Sequence, residues 1–267
     1  MHKQIIKTFL AGALLFAAGC NQQQMAAGMK MGSAVTMSEE KEDELGQSVV
    51  IAATNRWPIL DRPALNKYVT LVGLTVAGAT NRPDGNWQFA VIDTPDIGAY
   101  SGPGGYVLVT RGAIEAMEDE AELAGVLAHE IAHVANKDGF EAVKRARFNE
   151  GALQFAAASD SRLAAFGKET DLLVNTVLTS GWNQDQETKA DTSAVKLLQR
   201  AGYDAGGLPR FLARMEQRRG GSGRGKAFGT HPGTADRVAK TTAQIGSAKP
   251  GATNRERFAR AKAEARL

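Results

Sequence analysis

The run Leu127-Ala128-His129-Glu130-Ile131-Ala132-His133 constrains this chain more than any other stretch. It contains the pattern H-E-x-x-H within an apolar segment. A helix over this segment would bring His129 and His133 onto one face. Both imidazoles could then bind one metal ion, and Glu130 could reach a water molecule on that ion. A buried pair of structural histidines is the alternative. The amphipathic flanks favour a metal site, and the pattern predicts a zinc-dependent peptidase.

The two imidazoles need a third protein ligand, with the fourth position left to water. The only cysteine is Cys20, and no histidine follows soon after the motif, so a carboxylate is expected. Glu187 and Asp191 share a face of the helix predicted at Gln184–Arg200. Glu187 suits the third ligand, and Asp191 suits an acceptor for the free N–H of a ligating histidine. A solvated acidic helix face is the alternative, and spacing alone does not decide between them.

His231 is the one other histidine of the mature chain, because His2 lies in the N-terminal signal. It stands in Thr230-His231-Pro232-Gly233, shortly before Arg237. A loop histidine near zinc could stabilise the oxyanion of a tetrahedral intermediate, with Arg237 supporting it. A surface histidine before a helix is the alternative. Since no fourth histidine or cysteine is at hand, a closed structural zinc site is disfavoured.

Residues 1–19 are typical of a cleaved signal peptide. Lys3 and Lys7 supply the positive start, and the apolar run Phe9–Ala18 is too short to span a bilayer. The segment Ala17-Ala18-Gly19-Cys20 resembles the lipobox of bacterial lipoproteins, although leucine is more usual than Ala17. We therefore expect lipidation of Cys20, including palmitate, with plain secretion as the alternative.

The residue after Cys20 is Asn21 rather than aspartate, which by the sorting rule of such lipoproteins favours the outer membrane. Residues 20–37 are rich in Gln, Ala, Gly and Met without periodicity, which predicts a flexible tether after the lipidated cysteine. The expected location is therefore the bacterial outer membrane, lipid-anchored and facing the periplasm. The net charge of only +3, without a basic run interleaved with aromatics, gives no reason to expect nucleic acid.

Residues 38–247 are predicted to form the metallopeptidase domain. Residues 248–267 are predicted to form a polar C-terminal tail, with a frayed helix as the alternative. Helical periodicity dominates, and only Trp87–Ile92 and Tyr106–Thr110 have the composition of strands. The expected fold class is α+β, mostly helical, a zincin-like peptidase domain with a small β-sheet beside the active-site helix. The helices expected after the motif start at Asp138, Asp171, Gln184, Leu208 and Thr234.

The combined motifs His129–His133, Glu187–Asp191 and Thr230–Pro232 with Arg237 resemble the zinc metallopeptidase family of CAAX prenyl endopeptidases and HtpX-like heat-shock proteases. Within it, the chain is similar to a small periplasmic branch related to the catalytic domain of Oma-type proteases. The resemblance covers roughly residues 38–245. It implies one Zn²⁺ per chain bound by His129, His133 and Glu187, with Glu130 as general base. It also implies that His231 stabilises the transition state.

The same resemblance implies a substrate-binding edge at Gly104, Gly105, Tyr106 and Val107, where an extended peptide could pair with the strand. The glycines would equally suit a simple tight turn. Two departures are visible: Lys137-Asp138 replaces a common Arg-His pair, and Asn183 replaces a common arginine. The membrane helices of the larger relatives are absent as well.

Three functions compete at this point. The first is a zinc endopeptidase for quality control in the cell envelope, acting on unfolded or misassembled envelope proteins. The second is a chaperone-like outer-membrane assembly factor with latent or rare proteolysis. The third is a structural zinc lipoprotein. The residues indicate neither a cleavage preference nor an oligomeric state.

Overall fold

The computed structural model describes residues 38–145, 162–221, 231 and 234–267. All but Ser38 belong to Glu39–Leu267, one of the two units of the chain. The expected signal peptide, Cys20, Asn21 and the tether lie outside the described residues, as does the part after residue 145 of the helix expected from Asp138. The helices are α1 Glu39–Arg56, α2 Pro63–Ala77, α3 Arg111–Ala116, α4 Glu120–Ala135, α5 Arg162–Asn175, α6 Gln184–Arg200, α7 Gly207–Gly221, α8 Thr234–Ile245 and α9 Arg255–Glu264.

The fold is α+β and mostly helical, as expected from the sequence. Among the described residues, α6 and α8 have the bounds expected from periodicity, and residues 138–145 are helical. A π-helical turn, Thr176–Ser180, follows α5 directly. No described helix combines the length and the apolar character needed to cross a bilayer.

A three-stranded sheet lies beside the motif helix. Its strands are β1 Gln88–Ile92, β2 Ala99–Gly102 and β3 Tyr106–Thr110, in the spatial order β1-β3-β2. β3 is central because β1 pairs with it in parallel and β2 pairs with it antiparallel. Only β1 and β3 were expected, since the short Ala-Tyr-Ser-Gly sequence of β2 lacks a run of β-branched residues.

The expected substrate edge at Tyr106 and Val107 is therefore wrong. Tyr106 pairs with Gln88 on one side and Gly102 on the other, so its strand has no free edge. Gly104 and Gly105 form the connection from β2 to β3 with φ of 81° and 107°, which favours glycine. The turn interpretation accounts for both glycines.

Helix α4 is buried along almost its whole length, from Glu120 to Val134. It begins after Asp119, whose carboxylate accepts a hydrogen bond from the Glu122 backbone N–H. Its apolar side chains, including Leu123, Leu127 and Ile131, belong to the main hydrophobic core. A buried helix surrounded by α2, α6, α7 and β2 holds its side chains in fixed directions.

The C-terminal segment packs on this helix and is not a free polar tail. Phe258 of α9 is buried, and the Thr253 carbonyl accepts hydrogen bonds from the N–H groups of Glu120 and Ala121. Arg257 forms an ion pair with the buried Glu120. Local polarity misled the expectation for residues 248–267, because these contacts depend on an acid more than a hundred residues earlier.

Candidate metal centre

The side chains singled out in the sequence come together in one buried cluster. α4 carries His129, Glu130 and His133, and α6 carries Glu187 on its first turn. α6 begins where it does because Asn183 and Gln186 form a capping box at its N-terminus. The members of the cluster are between 0% and 2% exposed: His129, Glu130, His133, Glu187 and His231.

The donor atoms of His129, His133 and Glu187 converge. His129 Nε2 lies 3.1 Å from His133 Nε2. Glu187 Oε2 lies 3.5 Å from His129 Nε2, and Glu187 Oε1 lies 3.5 Å from His133 Nε2. Zinc bonds of about 2.0–2.1 Å in a tetrahedron set ligand atoms roughly 3.3 Å apart, so these separations suit one zinc ion.

An orphaned oxygen supports the same interpretation. Glu187 Oε2 is buried without a hydrogen bond, although Arg237 Nη1 lies 3.0 Å away. Arg237 supplies positive charge near this oxygen but no hydrogen bond, so the oxygen keeps an accepting position that a metal ion could occupy. The cluster as a whole fits a single zinc site.

Each motif histidine has a carboxylate on its outer nitrogen. Asp191 Oδ1 lies 2.9 Å from His129 Nδ1, the arrangement expected from the sequence. Asp138 Oδ2 lies 2.7 Å from His133 Nδ1. A carboxylate that accepts the proton of Nδ1 leaves Nε2 of the same ring to bind a metal ion, and both Nε2 atoms face the cluster.

Sequence reasoning missed Asp138. α4 ends at Ala135, and Lys137 then takes a left-handed φ of 58°, which folds the chain back so that Asp138 reaches His133. The only signal was the Lys137-Asp138 departure from the family pattern, and nothing local showed what Asp138 would contact.

Arg237 makes shorter contacts with the nearby carboxylates than with His231. Its Nε and Nη2 each donate to one oxygen of Asp191 at 2.8 Å. Its contact with His231 is a 3.5 Å hydrogen bond to the backbone carbonyl. Although burial opposes the charged form of Asp191, hydrogen bonds from Arg237 and His129 lower the pKa of this carboxyl to about 2.

His231 lies inside the cluster. Its Nδ1 is 2.7 Å from Glu187 Oε1 and 3.1 Å from His129 Nε2. Burial opposes its protonation, but the charges of Glu187 and Glu130 prevail and raise the pKa of His231 to about 10. A fourth protein donor is therefore available, which corrects the expectation that the chain has none.

The two oxygens of Glu130 have different neighbours. Its Oε2 accepts a hydrogen bond from Ser101 Oγ at 2.8 Å, whereas its buried Oε1 has no hydrogen bond and lies 3.3 Å from His231 Nε2. Burial disfavours its charged form, but the nearby histidines lower the pKa of Glu130 to about 2. Ser101 was missed because it lies on the unexpected strand β2.

Several known proteins have sequences similar to this chain. The β-barrel assembly-enhancing protease of Escherichia coli (strain K12) is 25% identical over 223 residues, covering 80% of this chain and 46% of that protein. The mitochondrial metalloendopeptidase OMA1 of Schizosaccharomyces pombe is 31% identical over 174 residues, covering 65% and 51%. Metalloprotease LoiP of E. coli (strain K12) is 26% identical over 211 residues, covering 76% and 77%.

The chain spans about half the length of the first two of these relatives. The model of peptidase family M48 matches residues 63–245, which include every member of the cluster. The family match covers most of the chain, and the cluster supplies the zinc site that such an enzyme needs. The chain therefore belongs to peptidase family M48.

Proposed function

We propose that this chain is a zinc-dependent endopeptidase of the bacterial cell envelope, with His129, His133 and Glu187 as zinc ligands. The observation that carries the proposal is the convergence of these three donors next to Glu130, whose Oε1 accepts no hydrogen bond and lies 3.3 Å from His231 Nε2. Glu130 follows the ligand His129 directly on α4, so the helix fixes its position relative to the site.

In the proposed reaction, Glu130 is the general base and His231 stabilises the oxyanion. Zinc, when bound, polarises the scissile carbonyl and lowers the pKa of a bound water. Ser101 holds Glu130 Oε2, which leaves Oε1 to take a proton from the attacking water and to pass it to the leaving amine. His231 donates a hydrogen bond to the developing oxyanion.

An extended substrate would pair with β2 rather than with β3. In the described part of the chain, no further strand pairs with the outer edge of β2, and its Ser101 contacts Glu130. The four residues of β2 are nevertheless buried. A substrate could therefore reach this edge only after the surrounding elements move apart.

A second candidate is the assembly factor with latent or rare proteolysis, and two observations favour it. The cluster is closed from solvent, and His231 lies where a fourth ligand would stand. A fourth protein ligand would replace the water that hydrolysis needs. The glycine-rich loop at Gly220–Gly225, which would also favour latency if it closed the cleft, lies mostly outside the described residues.

The envelope location, the lipid anchor at Cys20 and the substrate class are parts of this proposal. They are supported by the sequence of residues 1–37 and by relatives whose printed names include β-barrel assembly-enhancing protease. Unfolded or misassembled envelope proteins are accordingly the proposed substrates.

The test compares the purified wild-type protein with Glu130→Gln on casein and on an unfolded β-barrel membrane protein. We expect both proteins to contain one zinc per chain and only the wild type to cleave. Equal cleavage by both would contradict the enzyme assignment to this site. Improved β-barrel folding by both, without cleavage by the zinc-loaded wild type, would favour the assembly factor.

A further inference from the structure

We propose that Asp138 is a positioning residue that joins the two ligand-bearing helices and thereby sets the zinc affinity of the site. This inference rests on the proposed function, because it takes His133 and Glu187 as zinc ligands. It concerns a residue that lies beyond the end of α4 and outside the H-E-x-x-H motif.

Asp138 contacts both helices through different atoms. Its Oδ2 lies 2.7 Å from His133 Nδ1 on α4. Its Oδ1 and its backbone carbonyl each accept a hydrogen bond from Gln186 Nε2 on α6, both at 3.2 Å. Asp138 and Gln186 are 4% and 6% exposed, so water does not substitute for these contacts.

Gln186 connects this pair directly to the third ligand. It precedes Glu187 in the chain, and it closes the capping box with Asn183 that starts α6. Arg145 Nη2, from the helical segment after Asp138, donates to Gln186 Oε1 at 3.1 Å. The first turn of α6, which carries Glu187, is therefore held by the segment that also orients His133.

Aspartate is the side chain that suits this joint. Two donors approach it, the N–H of His133 and the amide of Gln186, and a carboxylate offers two accepting oxygens. Asparagine has nearly the same shape but only one accepting oxygen, so Asp138→Asn leaves one of the two donors facing an NH₂ group. Alanine removes both side-chain contacts and keeps only the hydrogen bond from Gln186 Nε2 to the backbone carbonyl.

The consequence is a prediction for metal binding. Loss of a carboxylate that orients a ligating histidine typically weakens metal affinity about 10- to 100-fold. We expect about a 10-fold weaker zinc affinity for Asp138→Asn, up to about 100-fold for Asp138→Ala, and a smaller loss for Gln186→Ala. Asp138→Ala and Gln186→Ala break the same contact between the helices. The double variant that carries both substitutions should therefore bind zinc only a little more weakly than Asp138→Ala alone.

The experiment measures the zinc dissociation constant of the full chain by competition with a chromophoric chelator. The visible spectrum of the Co²⁺-substituted protein reports ligand geometry, and thermal unfolding of the zinc-free protein reports general damage. Asp185→Asn is the matched control, since Asp185 is an exposed carboxylate on the same turn of α6. It should keep wild-type affinity and spectrum.

We expect Asp138→Asn to lose affinity and change the cobalt spectrum while the zinc-free protein melts within a few degrees of wild type. If Asp138→Asn kept the zinc affinity and the cobalt spectrum of the wild type, the inference about Asp138 would be overturned, but the proposed function would not. If the losses of zinc affinity added fully in the double variant, Asp138 and Gln186 would act independently, which would contradict a shared contact between the helices. A wild-type chain that binds no zinc would overturn the proposed function, and this inference with it.

Discussion

A substitution at Gly46 tests how closely α1 must approach the sheet beside the metal centre. It is a buried residue of α1, and a Cβ there would lie 2.0 Å from the Pro103 carbonyl oxygen and 2.5 Å from the Tyr106 ring. A backbone carbonyl cannot rotate away as a flexible side chain can. Gly46→Ala should therefore push α1 away from the turn between β2 and β3.

The size of the effect follows from two opposing terms. Alanine gains about 1 kcal/mol over glycine inside a helix. Overpacking costs about 1–3 kcal/mol, and the 2.0 Å contact places Gly46 at the upper end. The net loss of unfolding free energy is about 2 kcal/mol, which lowers Tm by about 4–8 °C in a domain of this size.

Gly167→Ala is the matched control. Gly167 lies in α5, and a Cβ there would meet no atom within 4 Å. Only the helix-propensity gain applies, so Tm should rise by about 2–4 °C. Calorimetry at one fixed zinc concentration compares the two variants with wild type. A Gly46→Ala protein as stable as wild type, or shifts of the same sign in both variants, would refute the reasoning.

Three further predictions concern the metal and the C-terminal segment. Glu187→Ala should leave the purified protein without stoichiometric zinc, and full zinc content by elemental analysis would contradict its proposed role. Phe258→Ala should cost about 3–5 kcal/mol of unfolding free energy because the ring is buried; a loss below 1 kcal/mol in urea unfolding would show that α9 does not pack as described. Burial opposes the charge of Glu120, yet hydrogen bonds, with Arg257 first, lower the pKa of this carboxyl. Its ionised form therefore stabilises the fold above about pH 4.3, and this contribution is lost as pH falls through the lower folded-state pKa. Glu120→Gln should flatten the dependence of stability on pH below about 5, and an unchanged slope would contradict this.

Local sequence patterns were enough for α6, for α8 and for most of the cluster. The four-residue spacing brought His129 and His133 together, and the same spacing paired Glu187 with Asp191 on one face of α6. These features depend on the period of a helix, which a sequence displays directly. The central strand β3 was visible for a similar reason, as a short run of β-branched and apolar residues.

The features that were missed depend on distant partners. β2 is too short and too small in its side chains to be visible, so β3 looked like an edge and Ser101 went unnoticed. Asp138 reaches His133 only because Lys137 reverses the chain. The C-terminal segment looked polar because its basic residues pair with acids at the start of α4.

The proposed function depends on one zinc ion held by side chains of α4 and α6. X-ray diffraction from crystals of the full chain, recorded on both sides of the zinc absorption edge, tests it most directly. We predict one anomalous peak at about 2.0–2.2 Å from Nε2 of His129, Nε2 of His133 and a carboxylate oxygen of Glu187. A zinc peak at other residues, or none in a chain that cleaves peptides, would contradict the account.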